Sequence, residues 1–512
     1  MIMVKYKWKI EMEEIMKRSC GILMHISSLP SKYGIGTLGK EAFKFVDFLK
    51  ASGQGYWQVL PVTPTGYSDS PYQSASTFAG NPYLIDLNLL IEEGLLTEEE
   101  VDLDWGGDPR YVDYGKLWEN RYEVLRKAFA RFDRSQMETF RAENSDWIEE
   151  YALFAALKTK FDNKPWNEWD DPAVMEHRAD AVAYYRQVLV HDIDFHCFIQ
   201  YEFDKQFRAV KAYANQNGIR IIGDVPIYVP HDSVDVWSNQ HLFYLDERRN
   251  PSLLAGVPPD YFTELGQLWG NPIYNWDVHR QDNFAWWRHR MERTGARFDV
   301  VRIDHFRGIE SYWAVPYGST DARPGRWYPG PGMDLIRAIR QQCPNVDMIA
   351  EDLGFLTPEV KKLLSDSGLP GMRILQFGFD PSCDSRELPH NYTTHCIAYT
   401  GTHDNAPIMG WVSEATPEQV EFAVNYLGLN EREGMPFGFA RGILNSVAEL
   451  AILPMQDYLG LGNESRMNLP SSTGWWKYRA QSSDFTEELA KRIRYYAEMS
   501  ARCDVPGKTS NV

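Results

Sequence analysis

Eight short apolar segments, the helical patterns between them, and the acids where they end predict an α/β fold. The specific expectation is a (β/α)8 TIM barrel with inserted subdomains after strands two and three. The segments are 21–27, 56–62, 219–229, 298–306, 347–354, 371–379, 396–404 and 450–457. Each is β-rich and closes on polar or turn residues. Runs apolar on both faces mark strands buried between helices. The last segment also reads as a continuation of the helix before it. Among the helices, 40–52 carries Phe43, Val46 and Leu49 and stops at Gly53. The span 195–217 has an aromatic face and ends at Asn217-Gly218, and 357–367 opens on Thr-Pro-Glu, a helix start. The interval 66–195 is too long for one crossover helix. It is helical, acidic and Trp-rich, and is expected as an inserted subdomain. A second insertion, 230–290, holds a stretch rich in Pro, Gly and aromatics, the composition of a lid or binding loop. Residues 1–18 fit no barrel element and read as an N-terminal extension to a catalytic barrel spanning 19–500.

Composition excludes several classes. With 44% apolar and 24% charged residues, the 512-residue chain is not a disordered one. Net charge is −18, from 53 basic and 71 acidic residues, and no Lys/Arg run is dense enough to neutralise phosphates. Nucleic acid is therefore not an expected partner. The first 18 residues are charged throughout, unlike a signal peptide, and no stretch approaches the roughly 18 apolar residues of a membrane span. The expectation is a cytoplasmic protein without a membrane partner. Six scattered cysteines without a CxxC pair read as free thiols. The 17 Trp and 28 Tyr either pack the core or offer flat faces to pyranose rings. Composition alone does not choose between these readings.

Two motifs are decoys. Gly34-Ile-Gly36-Thr-Leu-Gly39 matches GxGxxG and most of a P-loop, but Glu41 stands where magnesium binding needs Ser or Thr. The first strand also ends well before the glycines, so a tight loop is expected. His191-Asp192-Ile193-Asp194-Phe195-His196 reads as a solvated helix start, and no metal motif or G-x-S-x-G elbow is present.

The informative pattern is three acids ending three predicted strands: Asp304 in VVRIDHFRG, Glu351 in IAEDLG and Asp404 in YTGTHDN. Barrel chemistry sits at those strand ends. Arg302 precedes Asp304 by one strand period, so both face the mouth, and its guanidinium is expected to keep Asp304 ionised. Ile303 between them points into the helix layer. Glu351 follows Met348-Ile349-Ala350, a drier setting that raises a carboxyl pKa. Asp352 is expected to point away and cap the next turn. One acid biased to stay charged and one biased to hold a proton is the division that retaining glycoside chemistry needs.

These motifs, together with GILMHISSLPSKYGIGTLG, PVTPTGYSDSPYQSASTFAGNPYLI, GDVPIYV, GQLWGNPIYNW and SVAELAILPMQDYLGLGNESRMNLP, resemble the α-amylase superfamily. Within it the closer resemblance is to the 4-α-glucanotransferase (amylomaltase, or disproportionating enzyme) family, over about residues 19–500. The resemblance implies transfer of an α-1,4-glucan segment to the 4-hydroxyl of a glucan or glucose, with no cofactor or metal. Asp304 would be the nucleophile, Glu351 the acid/base and Asp404 the transition-state stabiliser. Arg302, His403 and Asp224 would support the site, and Ser70 and Tyr72 would hold the donor glucose. Trp269, Asn468 and the lid residues Tyr261, Phe262, Thr263 and Glu264 would line the acceptor side. The chain departs from the family pattern at NLPSSTGWWKYR and in its first 18 residues. The same trio passing its intermediate to water would make an α-1,4-glucan hydrolase. A non-catalytic glucan-binding barrel would lack one of the acids. Oligomeric state has no sequence signature.

Overall fold

In the computed structural model, which describes residues 18–259, 263–354 and 356–504, eight parallel strands close into a barrel. They are β1 Ser19–Leu23, β2 Tyr56–Gln58, β3 Arg220–Val225, β4 Val300–Ile303, β5 Asp347–Ala350, β6 Gly371–Ile374, β7 Cys396–Tyr399 and β8 Leu450–Pro454. Each pairs with its sequence neighbour, and β8 closes on β1. The predicted (β/α)8 barrel is thus the observed fold, with seven strands inside their predicted apolar segments and β1 beginning two residues before its own. The last segment divides into β8 and a short helix, Met455–Leu459, instead of extending the helix Met435–Leu444. Ile22, Ile222, Val301, Ile349, Met372, Ile397 and Ile452 are fully buried. Each such side chain contributes roughly 1.5–3 kcal/mol by leaving water.

Outside the barrel, local signals set the helix limits. Lys40–Ala51 buries Ala42, Phe45, Val46, Phe48 and Leu49, and the chain reverses at Gly53 with φ 73°. Pro358–Ser367 starts where the Thr357 side chain accepts from the Val360 N–H, and ends at Gly368 with φ 63°. Residues between β2 and β3 form a run of helices that ends in Val190–Gln216, whose buried side includes Phe195, Phe198, Phe203 and Phe207.

The His191–His196 stretch is solvated only at its start, where His191 is exposed, and is buried from Ile193 onward. Asp194 is buried against Arg134 and Arg141, and His196 is buried as well. The opening turns of this helix therefore form a packed charged interface, and no metal-holding cluster occurs among the described residues. The glycine-rich decoy is the expected tight loop. A Cβ on Gly36 would meet the Ile26 carbonyl at 1.9 Å, and one on Gly39 would meet the Asp86 carboxylate at 2.1 Å. An aspartate in that position repels phosphate.

A second sheet stands at the barrel rim. Its antiparallel strands run in the order Gln267–Pro272, Leu253–Val257, Ser311–Pro316 and Arg326–Pro329. Two of them follow β4, in a stretch whose short, mixed strands carry no clear periodicity. No helix among the described residues is long and apolar enough to cross a membrane.

Candidate functional site

The ends of β3, β4, β5 and β7 deliver four acids and one arginine to the barrel mouth. Register fixes the first pairing, because Asp224 on β3 lies beside Arg302 on β4. Both are buried, and Arg302 Nη1 reaches the two Asp224 oxygens at 2.8 and 2.7 Å. The same nitrogen lies 3.0 Å from Asp304 Oδ1. One guanidinium thus serves two aspartates and holds Asp224 the more tightly.

This sharing changes the electrostatics expected for Asp304. Burial pushes its carboxyl up to about 8, against the opposing pull of Arg302, and Asp224, Glu351 and Asp404 add like-charge repulsion. Desolvation outweighs the shared cation, so Arg302 alone does not hold Asp304 ionised. Glu351 is also raised, first by burial and then by the charge of Asp352, against Arg302 and two backbone hydrogen bonds. The two carboxyls titrate as a pair that keeps a proton beyond the ordinary carboxylate range.

Glu351 is gripped at both oxygens. Oε2 accepts from the His305 N–H at 2.8 Å, and Oε1 accepts from the Leu353 N–H at 2.8 Å. The first bond ties it to the residue that follows Asp304. His305 has φ 48°, a left-handed conformation uncommon outside glycine, and this turn aims its N–H at Glu351. The two acids therefore open on one mouth.

Asp352 does not cap the next turn. It is fully buried, accepts from the Met372 N–H at 2.6 Å, and pairs with Arg373 and Arg386. Its bonds run sideways to β6, because the strand before it ends at Ala350 and leaves the chain extended. Removing one member of a buried ion cluster strands the others, which is why such groups fix geometry firmly.

The opposite wall is aromatic. Tyr72 stacks on His403 at 5.1 Å, and Trp476 closes on both, at 5.7 and 5.8 Å. The Tyr72 hydroxyl donates to Asp224 at 2.7 Å, and Ser70 Oγ accepts from the Tyr72 N–H at 3.2 Å. Ser70 thus shapes the turn that presents Tyr72. Burial lowers the His403 pKa, so the ring is neutral at pH 7, with Nε2 3.3 Å from Asp404 Oδ1. Asp404 is the most exposed of the four acids. Asn468 donates to its Oδ1 at 2.6 Å, and Arg466 donates to its carbonyl at 2.7 Å. The structure thus puts Asn468 in direct contact with Asp404.

Trp269 meets His305 edge-on at 4.8 Å, which puts it beside the acids. Glu264 is exposed on the loop before it, while Tyr261 and Phe262 lie outside the described residues. Trp476 and Arg466 were not singled out in the sequence. Trp476 lies in the stretch read as a departure from the family pattern, and Arg466 lies just before Asn468 in the matching GNESRMNLP segment. A cavity of about 470 Å³ lies behind Tyr72 and Asp224, but Asp304, Glu351 and Asp404 do not line it. The chemistry is therefore located by the convergence of charges on the open mouth.

Comparison with known proteins finds relatives along most of the chain. Residues 24–484 match the family described as 4-alpha-glucanotransferase. A 4-alpha-glucanotransferase of Clostridium butyricum is 45% identical over 488 residues, covering 94% of this chain and 100% of that protein. One from Thermus thermophilus is 44% identical over 500 residues, covering 95% and 99%. Among solved structures, amylomaltase from Streptococcus agalactiae in complex with acarbose superposes with a TM-score of 0.93 at 42% identity, covering 95% of this chain and 100% of that one.

Proposed function

Since this chain belongs to the 4-alpha-glucanotransferase family, we propose that its barrel mouth moves α-1,4-glucan segments between glucans by a retaining double displacement. The observation that carries the residue assignment is the bond from the His305 N–H to Glu351, which sets Glu351 across one mouth from Asp304. An Asp304 oxygen attacks C1 of the donor glucose as the bond from C1 to the leaving O4 breaks, and Glu351 delivers its proton to that oxygen. The result is a glucosyl ester on Asp304. The 4-hydroxyl of an incoming glucan then attacks C1, Glu351 takes its proton, and Asp304 leaves as carboxylate. One α-1,4 bond breaks and one forms, and two inversions give retention.

Charge explains why four acids gather here. The transition state resembles an oxocarbenium cation. A unit charge 4 Å from a carboxylate is worth roughly 4 kcal/mol at an effective dielectric of 20. With Arg302 offsetting only one acid, the mouth favours positive charge at C1, and Asp404, held by Asn468, adds to that field. Tyr72, backed by His403 and Trp476, offers a ring face to the donor glucose, with Ser70 shaping its turn. Trp269, Asn468 and the lid residues Tyr261, Phe262 and Glu264 complete the acceptor side on this reading. The catalytic unit is 19–500, with 66–195 and 230–290 as its elaborations and 1–18 as an extension. The six free thiols suit a reducing cytoplasm and a role in carbohydrate metabolism.

Transfer and hydrolysis differ in a simple measurement. Incubated with maltotriose, the enzyme is expected to yield glucose and longer oligosaccharides while total reducing ends stay constant. A steady rise in reducing ends would instead mean that water takes the intermediate.

A further inference from the structure

A second gathering of charge lies behind the mouth, in the cavity of about 470 Å³ whose inner wall includes Tyr72 and Asp224. The chain carries a net charge of −18, yet this cavity is lined by Arg208, Lys211, Arg290, Arg293 and Arg297 against Asp204 and Asp224. Three of the cations stand on the helix Ala285–Arg297, at positions 290, 293 and 297. That spacing puts them on one helix face, where like charges repel and weaken the helix unless anions offset them.

Ion pairing accounts for the other cations. Arg293 pairs with Asp146, Arg208 with Asp204 at 2.7 Å, and Lys211 with Asp299 at 3.4 Å. Asp224 is already held by Arg302 and by the Tyr72 hydroxyl. Arg290 and Arg297 are left, and among the described residues neither has a carboxylate within ion-pairing distance. Their contacts are neutral. Arg290 donates to the Pro226 and Ile227 carbonyls at 2.6 and 3.4 Å and lies 4.9 Å over the Trp287 ring. Arg297 donates to the Phe78 carbonyl at 2.7 Å and lies 5.5 Å over the Phe203 ring. The acids whose charge reaches them are engaged elsewhere, Asp204 with Arg208 and Asp235 with the Thr77 hydroxyl and N–H at 2.7 and 2.9 Å. Burial pulls the Arg297 guanidinium down to about 10, which still leaves it charged at pH 7.

We propose that this cavity is a binding site for a small phosphate monoester. Two guanidiniums without counter-ions match the charge of one such group, about −1.5 to −2 at neutral pH, and the guanidinium fork is shaped for its oxygens. The rest of the lining calls for an organic body on the ligand. Phe78, Phe140, Trp147 and Phe207 form apolar walls that inorganic phosphate would leave uncovered. The volume falls in the range of about 300–1,000 Å³ usual for small-molecule sites. Arg208 and Ala296 are exposed, so the cavity opens to solvent between the helices Val190–Gln216 and Ala285–Arg297. The mouth, where four acids face one arginine, repels the same ligand. The site stands apart from glucan transfer and does not depend on it.

Calorimetric titration of the whole protein with glucose 6-phosphate, adenosine monophosphate and inorganic phosphate, at constant ionic strength, tests this. At least one ester is expected to bind more tightly than inorganic phosphate. Arg297→Gln should weaken that ester about ten- to a hundredfold, the scale for hydrogen bonds to a charged group, and Arg297→Lys should keep part of the affinity. Arg337→Gln, on the exposed side of the helix Met333–Gln342, should change nothing. In the unaltered protein the ester should slow hydrogen exchange at residues 204–211 and 290–297, which locates the site even where Arg297→Gln does not fold. No binding of either ester at millimolar concentration, or inorganic phosphate binding as tightly as both, would overturn the proposal. So would affinity that survives Arg297→Gln unchanged, or protection that falls on the mouth instead.

Discussion

Replacing Asp304 with Asn is expected to lower kcat on maltotriose by on the order of 10⁴-fold or more, the scale seen when a covalent nucleophile is removed, while glucan binding persists. An amide of the same shape keeps the mouth's volume but cannot attack C1 or leave as a carboxylate. The substitution also removes one of the negative charges facing Glu351. Asp304 pairs with Arg302, which keeps its tighter partner Asp224, so the site should stay assembled. Steady-state rates together with retention on an amylose gel check both halves. A variant retaining a tenth of the activity would remove Asp304 from the nucleophile's position.

Glu351→Gln is expected to cost about 10²–10⁴-fold on maltotriose, the usual worth of a positioned proton donor, and to change the shape of the pH profile. In the unaltered enzyme the productive state of the Asp304–Glu351 pair carries one proton. Burial raises both groups, with Asp304 at about 8, so loss of that proton falls above the range of an ordinary carboxylate. Activity should therefore decline on the alkaline side with that raised apparent pKa. It should decline on the acid side as the second carboxyl takes a proton. Glutamine has no proton to lose, so the alkaline limb should vanish. The acid limb should remain close to its place, because Glu351 is already protonated and uncharged where Asp304 takes its proton. An alkaline limb that survives in Glu351→Gln would assign the proton to another group.

How much of this was legible in the sequence follows from the range of each interaction. The barrel was, because a doubly buried parallel strand must be apolar throughout, and that signal is local. Asp304, Glu351 and Asp404 were legible for the same reason, since a strand that stops on an acid shows it in one line of residues. The Asp224–Arg302 pairing was not, because it depends on register between β3 and β4, which no single strand encodes. Without that register, Arg302 was expected to keep Asp304 ionised, and its tighter pairing with Asp224 was not foreseen. Asp352 points away from the mouth as alternation predicts, but the cap expected of it was misread, because its partners are Met372, Arg373 and Arg386, which are distant in sequence. Trp476 joins Tyr72 from more than four hundred residues away in sequence, so only the closed barrel brings the two together. The left-handed turn at His305 leaves no mark, since histidine is not the residue usually chosen for it.

The central claim is that Asp304 and Glu351 share one mouth and act in sequence on one anomeric carbon. It is tested most directly by incubating Glu351→Gln with an α-maltosyl fluoride, whose leaving group needs no proton, and mapping the covalent adduct by peptide mass spectrometry. The account predicts a maltosyl ester that accumulates on the peptide containing Asp304 and is discharged slowly by added glucose. An adduct on any other residue, or rapid fluoride release by Glu351→Gln with inversion at C1 and no adduct, would contradict it.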